Sequence, residues 1–508
     1  MFSKPASKVD NGVFASSGPL WDSIMQATSG NANDAARALR VLLYIVFMDP
    51  NTDTSRERLR CYHKLWRWLV VPARREIPKA PKGCQLFAFI FNTPANMNNL
   101  LPVFQAACRR SWNPGILTGE RVVIRSQDLN DLRNVVGVRD LMAATTLRER
   151  FEALVLARRH YRALWAAFSD QAMQREKISR RRTLILTELT LCTVVSQGLQ
   201  RLYSQWEPSC VISTSDLWPF DHAVFREAHR SGVPSFVIQH GITNRYWWPF
   251  VADKLLLWGR PFEDELLKLG APRERLAVCG MPAADHIFSR RQQNITSDRE
   301  KTALRYVVLS DTHNQAQYPG LYAKFKVLFK TVLSAAPSTQ WSIKLHPMED
   351  DSFYRDMLHG NFPNLTILPK TATLEESVTQ ADVACTLWST SGLEAMLMRR
   401  PLVVFDLVPL VQDYAWWPNR GGGTYVSTAG AMLDFVKRAS SDGQFLTSLM
   451  TRQEQFLAET FVNPGQAADA VLDTVEEVVR IAQSWTGSGD QVDALGSGNG
   501  GSNRTTLI

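Results

Sequence analysis

Short apolar runs of strand length, each closing on a polar loop that opens into a helical pattern, recur along this chain, and they restrict its fold more than any other feature. The first is Leu86 to Phe91, which breaks at Asn92-Thr93-Pro94 before a helical stretch. Cys210 to Ser213 and Ser235 to Gln239 follow, with a helix expected over Phe220 to Ser231 between them. Continuous apolar runs, unlike alternating ones, belong to parallel strands buried on both faces by helices. A chain of 508 residues is also too long for one core, at roughly 150 residues per domain. The expected fold class is therefore α/β, with two facing Rossmann-like doubly wound domains and an extra helical N-terminal region.

A second strand-and-helix set supplies the other domain. Its strands are expected at Tyr306 to Leu309, Trp341 to Leu345, Thr366 to Leu368, Val383 to Thr386 and Leu402 to Phe405. Helices are expected around Leu321 to Ala335, Phe353 to His359, Leu374 to Gln380 and Gly392 to Met398. The full division reads as a disordered leader over 1–35, a helical extension over 36–80, and a first Rossmann-like domain over 81–288. A linker over 289–300, a second Rossmann-like domain over 301–483, and a Gly/Ser-rich disordered tail over 484–508 complete it. The first domain carries a long helical insertion from about Asp140 to Tyr203.

Seven scattered cysteines with no C-x-x-C pair favour neither a disulfide framework nor a structural zinc site, which fits a reducing compartment. The N-terminus lacks the order of a signal peptide, and the apolar run Val41 to Met48 is far shorter than the ~20 residues of a spanning helix. The protein is expected to be cytoplasmic. Charge is unevenly spread: residues 1–207 hold 30 Lys and Arg against 17 Asp and Glu, and the remainder 27 against 32. A basic first half, with Arg clusters at 58–75, 158–162 and 180–182, points to an anionic partner such as a phospholipid surface, a lipid pyrophosphate or an acidic glycan; the alternative is a solvated basic surface. No zinc finger or RNP-type motif accompanies these arginines, so nucleic acid is not an expected partner. Between Arg58 and Val71, Leu59, Tyr62, Leu65, Trp66 and Leu69 recur at helical spacing. Such a stripe either packs on its own domain or lies on a membrane surface.

In doubly wound domains ligands collect beyond the carboxyl ends of the strands. The residues there are polar: Ser310, Asp311, Thr312, His313 and Asn314 after one strand, Lys344, His346 and Pro347 after the next, and Ser389, Thr390, Ser391, Gly392 and Glu394 after a later one. Hydroxyls and a glycine at a strand-to-helix turn leave backbone N–H groups for a phosphate, and Glu394 is placed to accept from ribose hydroxyls; the plainer alternative is a capping box from Ser391 to Glu394. Pro347 fixes the direction of His346, and Lys344 lies two residues earlier on the same strand face. The first domain contributes Asp216 and the Gln239-His240-Gly241 run.

The QHG run, the His346-Pro347 pair and the Ser389-Thr390-Ser391-Gly392-x-Glu394 loop together resemble two-Rossmann-domain (GT-B) glycosyltransferases of bacterial capsule and lipopolysaccharide synthesis, over about residues 84 to 475. Sialyl-, Kdo- and polyglycerol-phosphate transferases share His-Pro and Ser-Ser or Ser-Thr motifs that hold a cytidine nucleotide. The resemblance therefore implies His346 with Pro347, and Ser389 with Thr390 or Ser391, around such a donor. A His-Gly pair supplies a proposed base in the polyglycerol-phosphate enzymes and corresponds to His240-Gly241, although Ile-Thr-Asn follows here in place of their Thr-Pro-Leu-Lys. UDP-N-acetylglucosamine 2-epimerases are also similar in these loops, but their Ser-Gly-Gly and paired Glu are replaced by Thr390-Ser391-Gly392 and the single Glu394.

The implied reaction moves a sugar from a nucleotide-sugar donor, held by the 301–483 domain, to a glycan or lipid-linked acceptor on the 81–288 domain. A UDP-sugar 2-epimerase-like enzyme and a non-catalytic, membrane-associated nucleotide-binding protein are the competing readings. An inverting transfer needs a base, for which Asp216, His240 and Asp221 are the candidates, and positive charge on the departing phosphate, from Lys344 and His346. No Asp-x-Asp or His-Glu-x-x-His offers a metal a place, and no cofactor is expected.

Overall fold

A computed structural model of the chain describes residues 24–26, 39, 40, 43, 54–69, 77, 79, 83–89, 94–118, 134–217, 219–243, 247–291, 303–312, 315, 318–347, 349–358, 362–409, 411 and 415–487. Its strands form two parallel sheets. The first has seven strands, β1 (Gln85–Phe89), β2 (Pro114–Thr118), β3 (Val135–Gly137), β4 (Cys210–Ser213), β5 (Ser235–Ile238), β6 (Lys254–Leu257) and β7 (Leu276–Val278), ordered β3-β2-β1-β4-β5-β6-β7. The second has six, β8 (Arg305–Leu309), β9 (Gln340–Lys344), β10 (Leu365–Ile367), β11 (Val383–Thr386), β12 (Leu402–Phe405) and β13 (Thr424–Val426), ordered β10-β9-β8-β11-β12-β13. Each sheet runs outward from its first strand and then reverses, so the switch points lie between β1 and β4 and between β8 and β11. The expected α/β class with two Rossmann-like sheets is what the chain adopts. By contact, two compact units form within 1–92, 112–235 and 250–253, and within 93–111, 236–249 and 254–508.

Every residue of β4, β5, β11 and β12 is buried, as parallel strands covered on both faces require. The helical insertion resolves into Val138–Ala143, Leu147–Ala167, Ala172–Arg180 and Arg182–Trp206. Thr146 starts the second of these: its hydroxyl accepts from Glu149 N at 3.2 Å and the Glu149 carboxylate accepts from Thr146 N at 2.7 Å, a closed capping box. The 182–206 helix is buried along much of its length, and its Thr187, Thr190 and Thr193 hydroxyls donate to carbonyls four residues back at 2.8, 2.7 and 2.9 Å, so they enter the interior already bonded.

In the Arg180-Arg181-Arg182 cluster only Arg181 is buried, while Arg180 and Arg182 are exposed. Arg180 pairs with Glu176, and the Arg182 guanidinium lies 5.7 Å from the Tyr161 ring centre. In the second unit, Arg110 holds the last helix, Ala467–Gly487, by hydrogen bonds to Asp469 at 2.9 Å and Asp473 at 2.6 Å. That helix passes Ser484, where the sequence led us to expect the disordered tail to begin. The linker expected over 289–300 starts inside the helix Asp285–Arg291, and its remainder lies outside the described residues.

Candidate functional site

Lys344, Leu309 and Thr386 are Cα partners across β9, β8 and β11, so three adjacent strands end level with one another. At about 4.8 Å between neighbouring strands, the outer two ends stand about 10 Å apart, which is the reach of a pyrophosphate with part of its nucleoside. Beyond these ends emerge Ser310, then Leu345-His346-Pro347, then Trp388-Ser389-Thr390. Of the expected residues only His313 and Asn314 lie outside the described ones.

The loops after β8 and β9 are tied by a residue that sequence reasoning missed. Glu349 is buried, and its Oε2 accepts from Ser310 Oγ at 2.5 Å and from His346 N at 3.1 Å. Tyr354 OH donates to Ser310 Oγ at 2.8 Å, and Glu349 N donates to His346 O at 2.9 Å. A buried carboxylate with several donors fixes loop geometry strongly, because removing it would orphan each donor. Ser310 is thus a strut under the loops. His346 is half-buried and Pro347 exposed. Lys344 Nζ donates to Leu345 O at 2.7 Å; burial lowers its pKa from the usual lysine value, and the nearby Glu349 carboxylate works against that shift.

At the end of β11, Ser389 N donates to Thr386 Oγ1 at 3.1 Å and Ser391 N to Ser389 Oγ at 3.3 Å, giving a tight hydroxyl-lined turn into the helix Ser391–Leu397. A Cβ on Gly392 would lie 3.1 Å from Thr386 Cγ2 and 3.2 Å from Leu402 Cδ2, so glycine lets this helix approach β11 and β12 closely. The capping-box alternative is absent: Thr390 is the N-cap and no side chain caps it. Trp388 forms a wall beside the turn, edge-on to Tyr318 at 4.9 Å and Tyr322 at 6.4 Å.

Glu394 sits in the first turn of that helix, and burial pushes its carboxyl up to about 7. An acid whose native pKa lies above its unfolded value, 4.5 here, binds more protons when folded, so its stabilising contribution is complete below that value and fades as pH rises through 7. Relative to Glu394→Gln, the native protein is expected to lose about 3 kcal/mol between pH 4.5 and 7.5. Urea midpoints for the pair across this range check it; a pH-independent difference would show that the carboxyl is not desolvated.

In the first sheet, Gln239 at the end of β5 is fully buried; its Oε1 accepts from Trp258 N at 2.9 Å and its Nε2 donates to Gly241 O at 2.8 Å. The QHG run is therefore a loop clamped by its glutamine. His240 is half-buried, with its ring centre 4.9 Å from that of Trp247, whose indole donates to Ile242 O at 3.0 Å. Asp216 is buried, and its Oδ2 accepts from the backbone N–H of Val251 and, at 3.2 Å, of Ala252. Asp221 is fully buried in the first turn of the helix Pro219–Arg230. Burial, and then the Asp216 charge, push its carboxyl well above the usual range, against a smaller opposing effect of the Ser215 hydroxyl. Trp247 and Trp417 are buried, and Trp248 and Trp416 partly so. Among the described residues no three His, Cys, Asp or Glu side chains gather as metal ligands would, and no helix is long and apolar enough to cross a membrane.

Two solved structures share this architecture at very low identity. The UDP-GlcNAc 2-epimerase from Neisseria meningitidis bound to UDP-GlcNAc matches at TM-score 0.51 and 10% identity, over 77% of this chain and 100% of its own. A glycosyltransferase from Rickettsia africae matches at TM-score 0.50 and 10% identity, over 79% of this chain and 99% of its own. The fold is GT-B. Residues 283–407, which carry β8 to β12 and the three loops, match the family of capsule polysaccharide biosynthesis proteins. No curated protein matches the chain in sequence. The expected resemblance to GT-B enzymes of surface polysaccharide synthesis is thereby borne out.

Proposed function

We propose that this GT-B protein is a glycosyltransferase of capsule or related surface polysaccharide synthesis. It takes a sugar from a nucleotide-activated donor, with a cytidine nucleotide favoured, and passes it to a glycan or lipid-linked acceptor. The observation that carries this reading is the level emergence of the Ser310, His346 and Ser389 loops at a switch point, within the segment that matches the capsule family. In this reading Lys344, His346 and the Ser389-Thr390-Ser391 turn stabilise the departing phosphate without a metal, and Glu394 accepts from ribose hydroxyls. His240 removes the acceptor proton, because Asp221 is fully buried and Asp216 Oδ2 is occupied by backbone amides. The enzyme works in the cytoplasm, peripherally at the inner face of the membrane, where its basic first half meets anionic lipid.

Thermal-shift measurements with CMP, CDP, UDP, GDP and TDP test the donor, since a nucleotide that binds only the folded state raises Tm. A shift confined to cytidine nucleotides is expected, and His346→Ala and Ser389→Ala should each weaken that nucleotide by about 10- to 150-fold while leaving the ligand-free Tm nearly unchanged. The epimerase likeness supports a second reading, in which UDP alone shifts Tm and UDP-GlcNAc incubated without acceptor epimerises. That result would remove the transferase. No shift with any nucleotide would leave a non-catalytic scaffold.

A further inference from the structure

The apolar stripe of the first basic helix does not pack on its own domain as a unit. In the helix Thr54–Leu69, Cys61 is 3% exposed and Leu65 half-buried, and this side meets the 182–206 helix, to which Lys64 is fastened by Glu188 at 2.7 Å. Leu59, Tyr62 and Trp66 instead stand 60%, 60% and 66% exposed. At 100° per residue they form one face, roughly a third of a turn from the inward one, with Arg58 at one margin and His63 and Arg60 at the other. Arg58, Arg60 and His63 are all exposed. An outward Leu-Tyr-Trp face edged by arginines is what an interfacial helix presents: aromatic rings at headgroup depth and cations at the lipid phosphates.

We infer that the Leu59-Tyr62-Trp66 face is the part of this chain that seats on an anionic phospholipid bilayer, with Arg58 and Arg60 engaging the headgroups. The inference rests on the peripheral-membrane part of the proposed function and gives it a location. The bilayer is the favoured occupant because this face lies within the strongly basic first 207 residues, 30 Lys and Arg against 17 Asp and Glu, and because exposed arginines, Arg58 and Arg60, stand at its margins.

The experiment is co-sedimentation of the full chain with phosphatidylcholine vesicles and with vesicles containing 30% phosphatidylglycerol, at low and high salt, alongside sedimentation velocity without lipid. The native protein should bind only the anionic vesicles and be released by salt. Tyr62→Ser with Trp66→Ser should lower partitioning at least tenfold at unchanged Tm, since both side chains are exposed. Arg58→Gln with Arg60→Gln should lower it roughly fivefold per arginine and flatten the salt dependence. If the aromatic variant partitions like the native protein, the helix is not the seat, although salt-released binding would keep the peripheral reading. If the native protein ignores anionic vesicles, both fall. A native dimer that the aromatic variant converts to monomer, with vesicle binding unchanged, would assign the face to a second copy of the chain and overturn the inference.

Discussion

Gly259→Ala is expected to destabilise the protein by about 3 kcal/mol or more, at the upper end of what overpacking usually costs. The residue has extended backbone, φ −175°, so alanine meets no torsional obstacle. The obstacle is contact: a Cβ there would lie 1.5 Å from Thr460 O and 2.8 Å from Thr460 C, both backbone atoms that cannot swing aside. The junction holds a large aromatic cluster within the second unit. Trp258 packs edge-on to Phe262 at 5.7 Å and near Phe461 at 6.3 Å, Phe262 packs on Trp416 at 5.8 Å, and Trp416 packs on Phe456 at 5.9 Å. Displacing the 460–461 backbone would therefore loosen several rings together, each worth about 1.5–3 kcal/mol when fully buried. Gly320→Ala is the control, because nothing lies within 4 Å of its Cβ and the site is helical, so it should be neutral or slightly stabilising. Denaturant midpoints for the two variants decide the matter. Equal midpoints would mean that the 460–461 segment does not press on Gly259 in solution.

The strands that sequence reading locates are mostly central ones, the edge strand β10, expected at Thr366 to Leu368, being the exception. Val383–Thr386, Leu402–Phe405 and Cys210–Ser213 match to the residue, because burial on both faces leaves an unbroken apolar run. Those missed lie mostly toward sheet margins, where the physical demand is weaker. β2 opens on Pro114-Gly115, β3 is Val-Val-Gly, and β7 and β13 are three residues each with two of the three only half-buried. Such segments gain their strand character from the neighbour they pair with, which no local pattern reports.

The site divides along a similar line. Its chain-local features were legible: the hydroxyl turn at Ser389, the His346-Pro347 pair and the strand-end position of each loop. Glu349 was not, since a glutamate three residues after His346 looks like an ordinary turn residue, and its bond to Ser310 spans 39 positions. Gln239 was read only as part of a motif; its signal was a polar side chain at the end of an apolar strand, where burial demands a partner on another element, here Trp258 N. Asp216 shows the converse, a strand-end carboxylate that sequence position alone marks as reactive and whose Oδ2 is taken up by the amides of Val251 and Ala252.

That contrast separates the candidate bases experimentally. His240→Ala is expected to lower the turnover of sugar transfer by about 10²- to 10⁴-fold, the ordinary worth of a positioned base, while nucleotide affinity changes by less than about twofold. The loop should survive the change, because its shape depends on Gln239 with Gly241 and on Trp247 with Ile242, which the imidazole does not supply. Asp216→Asn should cost less than about tenfold, since an amide oxygen still accepts from Val251 N and Ala252 N and only the charge is lost. That lost charge also relieves the neighbouring Asp221, whose carboxyl burial and then the Asp216 charge push up, so a change in the pH profile with little change in maximal rate is the mark of a structural Asp216. Exogenous imidazole should restore part of the His240→Ala rate and none of the Asp216→Asn loss. If Asp216→Asn is the variant that abolishes transfer, the base passes to Asp216. If both retain near-native turnover, neither residue takes the proton, and the acceptor hydroxyl must be activated elsewhere in the GT-B framework.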